Sequence, residues 1–365
     1  LQDPSREGIK DDIKMCLDAG IRVVMITGDN GITASSIAKE VGIPHSQGII
    51  TGEELNKVDD DELNKRIKDV SIFSRVVPEH KMRIVKAFKE IGEVVAMTGD
   101  GVNDAPALKY ADIGIAMGKR GSEVSREAAD LILLDDNFST IVDTVKDGRR
   151  IYDNIRKAIG YVFVIHIPIA FASLLAPLLG ISASSLLLLP VHVVLLELLI
   201  DPTCSIVLER QPAESDIMNR KPRDPREGIL TSKVLVKSII QGLVLFVASF
   251  GTYYYYLDLG IELARSMGLA IIMISNLLLV QVNSSNSELA YKSIIKLRKD
   301  KVMWSVAIGT IVGLAIILYT PLSGFLGLVP LGTSEILKVC GISLVSILWL
   351  SLIHISEPTR LALIS

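Results

Sequence analysis

The chain of 365 residues carries 38 basic against 41 acidic side chains and only 5% aromatics, a near-neutral balance that argues against a nucleic-acid-binding surface. Charges crowd the part up to about Tyr161, while long uncharged runs separated by short charged clusters fill the remainder; one half reads as soluble and the other as embedded in lipid. Cys16, Cys204 and Cys340 lie far apart and form no CxxC pair, so neither a disulfide framework nor a zinc knuckle is suggested and a reducing compartment is favoured. Residue 1 is Leu and no basic stretch with a short apolar core comes after it, so the start reads as a truncation and not as a signal peptide.

Over residues 1–148, apolar β-branched runs alternate with amphipathic helical stretches, the pattern of a parallel sheet covered by helices. The expected strands are Val23-Val24-Met25-Ile26, Val94-Val95-Ala96-Met97, Ile113-Gly114-Ile115-Ala116 and Leu131-Ile132-Leu133-Leu134. The first two end alike, in Thr27-Gly28-Asp29 and Thr98-Gly99-Asp100, which places a carboxylate just past the carboxyl edge, where open α/β sheets bind ligands. The glycines allow a tight turn and a close approach of backbone N–H groups to an anion. Asp100 and Asp104 flank the next turn at a spacing suited to Mg²⁺; taken alone they could equally cap the turn and the helix that Pro106 begins. Lys81 alone reads as a solvated helix-face lysine. No GxxxxGK[ST] occurs, so a P-loop enzyme is excluded.

Four ordered blocks turn these weak signals into a specific one: Met25-Ile26-Thr27-Gly28-Asp29, Pro78-Glu79-His80-Lys81, the run from Met97 through Asp100, Asn103, Asp104 and Pro106 to Leu108, and Asp135-Asp136-Asn137-Phe138-Ser139-Thr140-Ile141. Together they resemble the phosphorylation domain of P-type ATPases, in particular the calcium-pump-like branch, with similarity from Asp3 to about Pro222. The resemblance implies that Asp100 coordinates the catalytic Mg²⁺ with Asp104, and that Asn103 and Asp104 hold phosphoryl oxygens and the outer sphere of the metal. It also implies that Lys81 neutralises the transferred phosphoryl group and that Thr27, Gly28 and Asp29 form its oxyanion-binding turn. In this chemistry the protein positions charge around an in-line transfer from ATP to a carboxylate nucleophile. That nucleophile, the first Asp of an Asp-Lys-Thr-Gly-Thr block, does not occur here; the nucleotide domain, dephosphorylation loop and first four membrane helices are expected in a missing N-terminal part of the same pump.

Six apolar segments come next, at about 159–179, 186–208, 234–257, 267–282, 302–328 and 336–353, and most are long enough to cross a bilayer. Arg149, Arg150, Arg156 and Lys157 precede the first; Arg210, Arg220, Lys221, Arg223, Arg226 and Lys233 lie between the second and third; Lys292, Lys296, Arg298 and Lys299 lie between the fourth and fifth. The positive-inside rule therefore puts the soluble domain, both basic loops and the C-terminus in the cytoplasm. Glu197 and Asp201 stand four apart in an apolar run, on one helix face, and intramembrane acids are functional by default. Pro202 is expected to break that helix and free carbonyls for a cation, and Pro168, just after His166, to break the one before. His166 could instead be a packing histidine bonded to a carbonyl. Tyr253 to Tyr256 read as an interfacial aromatic belt.

The stretch from Pro190-Val191-His192 to Asp201-Pro202 resembles the sixth membrane helix of calcium-type pumps, in which Asn usually stands at the position of Glu197. His166 falls at the fifth-helix Asn position, Ile169 at its Glu position, and the eighth helix offers only Ser275, Asn276 and Gln281 in place of a carboxylate. A full two-calcium site is not expected; one divalent ion at Glu197, Asp201 and His166, or a carboxylate site for another cation, stays open. Cys204 has no second intramembrane thiol, and oxygen ligands favour Ca²⁺, Mn²⁺ or Mg²⁺ over copper or zinc.

The expectation is thus an α/β parallel-sheet, haloacid-dehalogenase-like phosphorylation domain of Rossmann type over 1–148, an all-α six-helix transmembrane bundle over 149–355, the fifth to tenth helices of the family, and a tail over 356–365 foreign to the protein. Function is expected to be ATP-driven cation transport in the plasma membrane of a prokaryote, the fragment alone being inactive. The competing classes are a membrane-anchored, Mg²⁺-dependent phosphatase of the haloacid-dehalogenase type, a pump for Mn²⁺, Mg²⁺ or H⁺, and a secondary transporter or channel. Two acids inside the bilayer speak against a mere anchor, and the phosphoryl-binding blocks against the last.

Overall fold

The structure, a computed structural model, describes residues 8–44, 48–283 and 300–361. Lys292, Lys296, Arg298 and Lys299 lie outside it, as do the side chains of Asp201, Cys204 and Gln281. The chain divides into two compact units, Leu1–Arg149 with Ser215–Glu227, and Arg150–Glu214 with Gly228–Ser365.

In the first unit, helices α1 (Ile9–Asp18), α2 (Gly31–Val41), α3 (Gly52–Lys57), α4 (Asp60–Arg66), α5 (Pro78–Glu90), α6 (Ala105–Tyr110) and α7 (Glu123–Ala128) alternate with six short strands. The strands form two parallel sheets. In one, β3 (Ile72–Ser74) lies between β1 (Met25–Ile26) and β2 (Ile50–Thr51); in the other, β5 (Ile113–Met117) lies between β4 (Ala96–Gly99) and β6 (Leu131–Leu133). This is a parallel α/β architecture, as the alternation of apolar runs and amphipathic helices predicted. Ile26 and Val95 pack on the same apolar core of Val85, Met97, Ala107 and Leu108, so the end of β1 and the residue that leads into β4 share side chains.

Two strands start later than their apolar runs. Val23 and Val24 precede β1, and β4 begins at Ala96 because the Val95 N–H donates to Asp112 Oδ2 (2.9 Å) and its carbonyl accepts from the N–H groups of Asp112 and Ile113. Strands β2 and β3 were not expected: two or three residues, with β3 buried throughout, leave no alternation to read. Arg149 holds the segment 215–227 in this unit by donating to the carbonyls of Ile217 and Arg220 (2.9 Å each), and to that of Ala19 (2.8 Å).

The second unit is helical, and α8 (Phe138–Leu178) begins in the first unit and ends in this one. It runs through Pro168 and Pro177 uninterrupted, contrary to the expected break. A proline removes one hydrogen bond, and the remaining bonds of a long apolar helix hold the axis together. Helix α9 (Pro190–Thr203) likewise passes through Pro202, but continues into a π-turn at Cys204–Leu208, so the expected break is a local widening. Next come α10 (Ser232–Tyr256), α11 (Ile261–Asn283), α12 (Lys301–Tyr319), the short α13 (Leu322–Phe325) and α14 (Thr333–Leu361). Thr320-Pro321 ends α12 well before the expected limit of 328.

Among the described residues five helical segments are long and apolar enough to cross a membrane, which makes this a multi-pass membrane protein. In α11 78% of the apolar window is buried, against 28–33% in the others, so α11 is the centre of the bundle. It starts earlier than the run at 267–282 and carries Arg265, 3% exposed. The guanidinium donates to the carbonyls of Ser184 (2.8 Å), Leu186 and Gly327 (2.9 Å each), pinning two connecting loops. Tyr253 is fully buried and donates to the Ser185 carbonyl, whereas Tyr254 and Tyr255 are exposed; only part of the tyrosine run can form a belt. Lys157 and Asn154 are also committed inward, to the Glu214 carboxylate (2.7 Å) and to the carbonyls of Glu209 and Gln211 (3.0 and 2.8 Å). Basic residues that read as topology signals therefore have packing duties too.

Candidate active site and membrane-embedded acids

Strand β4 ends at Gly99, and the chain turns through Asp100 and Gly101 into a 3₁₀ turn, Val102–Asp104, that leads into α6. Asp104 is 4% exposed and fully engaged: Oδ1 accepts from Lys81 Nζ at 2.5 Å, and Oδ2 accepts from the N–H groups of Asp100 (3.2 Å) and Gly101 (3.1 Å). A buried carboxylate needs such partners. Lys81 reaches it from the first turn of α5, which Pro78 starts, and stays about a quarter exposed. The Asp100 carbonyl accepts from Ser122 N–H and Ser125 Oγ (2.8 and 3.2 Å), which fixes the turn, while the Asp100 and Asn103 side chains face solvent. An open carboxylate at Asp100, beside a lysine already held by a second one, is a donor set that fits a hard dication next to a phosphoryl group.

Gly99 is required by contact. A Cβ there would lie 2.5 Å from Asp104 Cβ and 2.8 Å from its Cγ. Gly99→Ala is expected to push Asp104 from its two amides and from Lys81, destabilising the first unit by about 2–4 kcal/mol. Chemical denaturation of Gly99→Ala against Gly101→Ala checks this, because the Gly101 Cβ would meet Asp104 only at an ordinary 3.5 Å.

The turn after β1 is built in parallel. Thr27 Oγ1 donates to Asp29 Oδ2 (3.2 Å) and accepts from Asp29 N–H (3.1 Å), Gly28 is exposed, and Asn30 caps α2 by accepting from Thr33 N–H (2.9 Å). Beside it stands Arg75, which the sequence did not single out. It follows β3 at φ 51, in the left-handed region, with its N–H donating to the Asp29 carbonyl (3.0 Å) and its side chain exposed. A non-glycine residue held there stores strain of the kind found at functional edges. Asp136, also left-handed (φ 55), accepts from the N–H groups of Lys119 and Arg120 (3.0 and 2.9 Å) and fastens the loop beyond β6. His80 is buried, which lowers its pKa; its Nδ1 accepts from Val77 N–H at 3.4 Å and its Nε2 donates to Asn56 Oδ1 at 2.8 Å, a packing role next to Lys81.

In the second unit α8 and α9 bring His166 and Glu197 together, with Nε2 3.4 Å from Oε1. Nδ1 lies 2.8 Å from the Val162 carbonyl and must carry a proton to bond there, so a bond between Nε2 and Glu197 needs one more proton on either partner. Asp201 follows Glu197 by one turn of α9. Among the described residues no three of His, Cys, Asp and Glu converge on one point. Helix α11 also carries buried polar atoms: among the described residues Asn276 and Ser275 have side-chain atoms that find no partner, and Asn276 lines a narrow cavity with Tyr161, Leu199 and Thr310. Unpaired buried amides of this kind usually have a ligand or water to satisfy.

Comparison with known proteins agrees with both halves. Residues 185–355 match the family model for the cation transporting ATPase C-terminus, and residues 1–112 that for haloacid dehalogenase-like hydrolases. A calcium-transporting ATPase of Bacillus subtilis is 38% identical over 345 residues, covering 93% of this chain and 38% of its own length. Calcium-transporting ATPase lmo0841 of Listeria monocytogenes is 39% identical over 291 residues (79% and 32%), and the endoplasmic reticulum-type calcium-transporting ATPase 4 of Arabidopsis thaliana is 41% identical over 274 (73% and 26%). The chain therefore spans well under half the length of these relatives.

Proposed function

We propose, since this chain belongs to the P-type cation-transporting ATPases and carries a C-terminal portion of one, that it serves ATP-driven transport of a divalent cation such as Ca²⁺ through an aspartyl-phosphate cycle. The observation that carries this reading is one chain holding both the Lys81–Asp104–Asp100 constellation at the end of β4 and the acids Glu197 and Asp201 on one face of an apolar helix. Lys81, fixed by Asp104, presents its ammonium to the transferred phosphoryl group; Asn103 and the Thr27-Gly28-Asp29 turn hold its oxygens. Asp100, with Asp104 behind it, would hold Mg²⁺, which when bound neutralises charge on the phosphoryl oxygens. The nucleophilic aspartate and the nucleotide site come from the upstream part of the pump. Glu197, Asp201 and His166 take up the transported ion from a cytoplasm on the side of the basic loops, and the membrane is the plasma membrane of a prokaryote.

Labelling the complete protein with ATP tests the proposal. An acid-stable phosphoenzyme should form only when the transported cation is present and should vanish when it is chelated. A membrane-anchored phosphatase would turn over without regard to that cation, and this result would overturn the reading.

A further inference from the structure

Helices α10 and α14 leave an open groove of about 600 Å³ between them, within the range of roughly 300–1,000 Å³ of sites that hold a small molecule. Its floor is made by Ala248 and Gly251 on α10 and Gly341 on α14. The Thr252 hydroxyl in the wall is turned back onto the Ala248 carbonyl at 2.7 Å, so away from Lys338 and the tyrosines the groove is apolar. The glycines do not serve a tight helix contact either, because an added Cβ at Gly251 or Gly341 would meet nothing within 4 Å. What the groove fits is a flexible apolar chain.

One end is chemically different. Lys338 is exposed, donates to Tyr256 Oη at 3.1 Å and lies 5.6 Å from the centre of that ring. The tyrosine oxygen accepts from the lysine, which leaves its own proton free to be donated. Lys338 lies between one and two turns inside the start of α14, and Tyr256 ends α10, so both sit at the boundary depth where lysine and tyrosine carry polar tips to the interface. Stretches 179–189, 257–261 and 320–333 at this end contain no Lys or Arg, and Arg265 is buried and committed to carbonyls. Glu335, three residues before Lys338, is folded toward Gly332, where a Cβ would lie 2.6 Å from its Oε2; it acts on the ammonium through its charge without forming an ion pair among the described residues. An exposed ammonium at the end of an apolar groove is complementary to an anion with an apolar tail.

We propose that the groove binds one anionic phospholipid, with an acyl chain lying over Gly251 and Gly341 and the headgroup phosphate held by Lys338 Nζ and the Tyr256 hydroxyl. The test is native mass spectrometry of the full chain in detergent, supplied with phosphatidylglycerol or with phosphatidylcholine of the same chains. One phosphatidylglycerol should survive activation that strips phosphatidylcholine. Lys338→Gln should lower its retention to the phosphatidylcholine level, and Gly341→Leu, which the open space accommodates while filling the groove, should abolish retention of either lipid. Circular dichroism of each variant shows that the helices persist. Equal retention of the two lipids, retention unchanged in both variants, or loss in Gly341→Leu alone would overturn the proposal. So would a second polypeptide trapped by a thiol cross-link from Gly341→Cys, since a partner helix would then own the groove.

Discussion

Asp201→Asn, placed in the complete protein, is expected to abolish phosphorylation by ATP at working cation concentrations while sparing phosphorylation by inorganic phosphate. Asp201 and Glu197 lie one turn apart on α9, and His166 of α8 stands 3.4 Å from Glu197. Two carboxylates in a low-dielectric bundle are tolerated only if something compensates them, and a bound cation is the compensation that transport requires. Losing one charge should weaken cation affinity on the order of 100-fold, about 2.8 kcal/mol, enough to leave the site empty. On the proposed function, inorganic phosphate would react beside Lys81, Asp100 and Asp104, which the substitution leaves untouched, so that half-reaction would report an intact soluble unit. Glu197→Gln keeps the oxygen and loses the charge, and should weaken or re-select the activating ion. Wild-type cation dependence in both variants would make the acids structural and move attention to His166 and to the unpaired Asn276.

Arg265→Leu should be the most destabilising single change in the second unit. It removes one buried guanidinium that serves three loop carbonyls and leaves those acceptors with no replacement donor. At about 1–3 kcal/mol for each stranded polar group, with partial recovery by water at the loop ends, the loss should be about 3–5 kcal/mol. Lysine cannot mimic the fork, since its donors radiate from one atom, so Arg265→Lys should recover only part of the loss. Thermal unfolding in detergent, read by tryptophan fluorescence, checks both. A Leu variant that melts with the parent protein would show the clasp to be incidental.

What the sequence could show depended on how local each feature is. Gly99, Asp104 and Pro106 encode a turn and a helix start within eight residues, and a lysine in a Pro-initiated helix completes the picture. The local geometry of the turn was therefore legible. Chain-distant features were not. The partners of Arg265 lie 62 to 81 positions away along the chain and are backbone carbonyls, which carry no residue signature. Strand β3 is only Ile72–Ser74, buried on both faces, and the left-handed Arg75 after it is visible only in the backbone. The prolines misled for a physical reason. Pro168 and Pro202 each delete a hydrogen bond, but a helix surrounded by apolar neighbours keeps the rest, because no water competes for the carbonyls.

The π-turn at Cys204–Leu208 accommodates one residue more than an α-helix of the same rise would hold. Chain length is therefore negotiable at this spot as it is nowhere along α10 or α11. Deleting one residue there would let the turn relax to ordinary α geometry with the phase of α9 before it preserved and only the connection after Leu208 shortened, whereas the same deletion in the middle of α11 would swing every following side chain by about 100°. An insertion or deletion arising in this region during evolution would thus be absorbed at the doorstep of Asp201, retuning the backbone oxygens beside the acid while Glu197 keeps its place on the helix face.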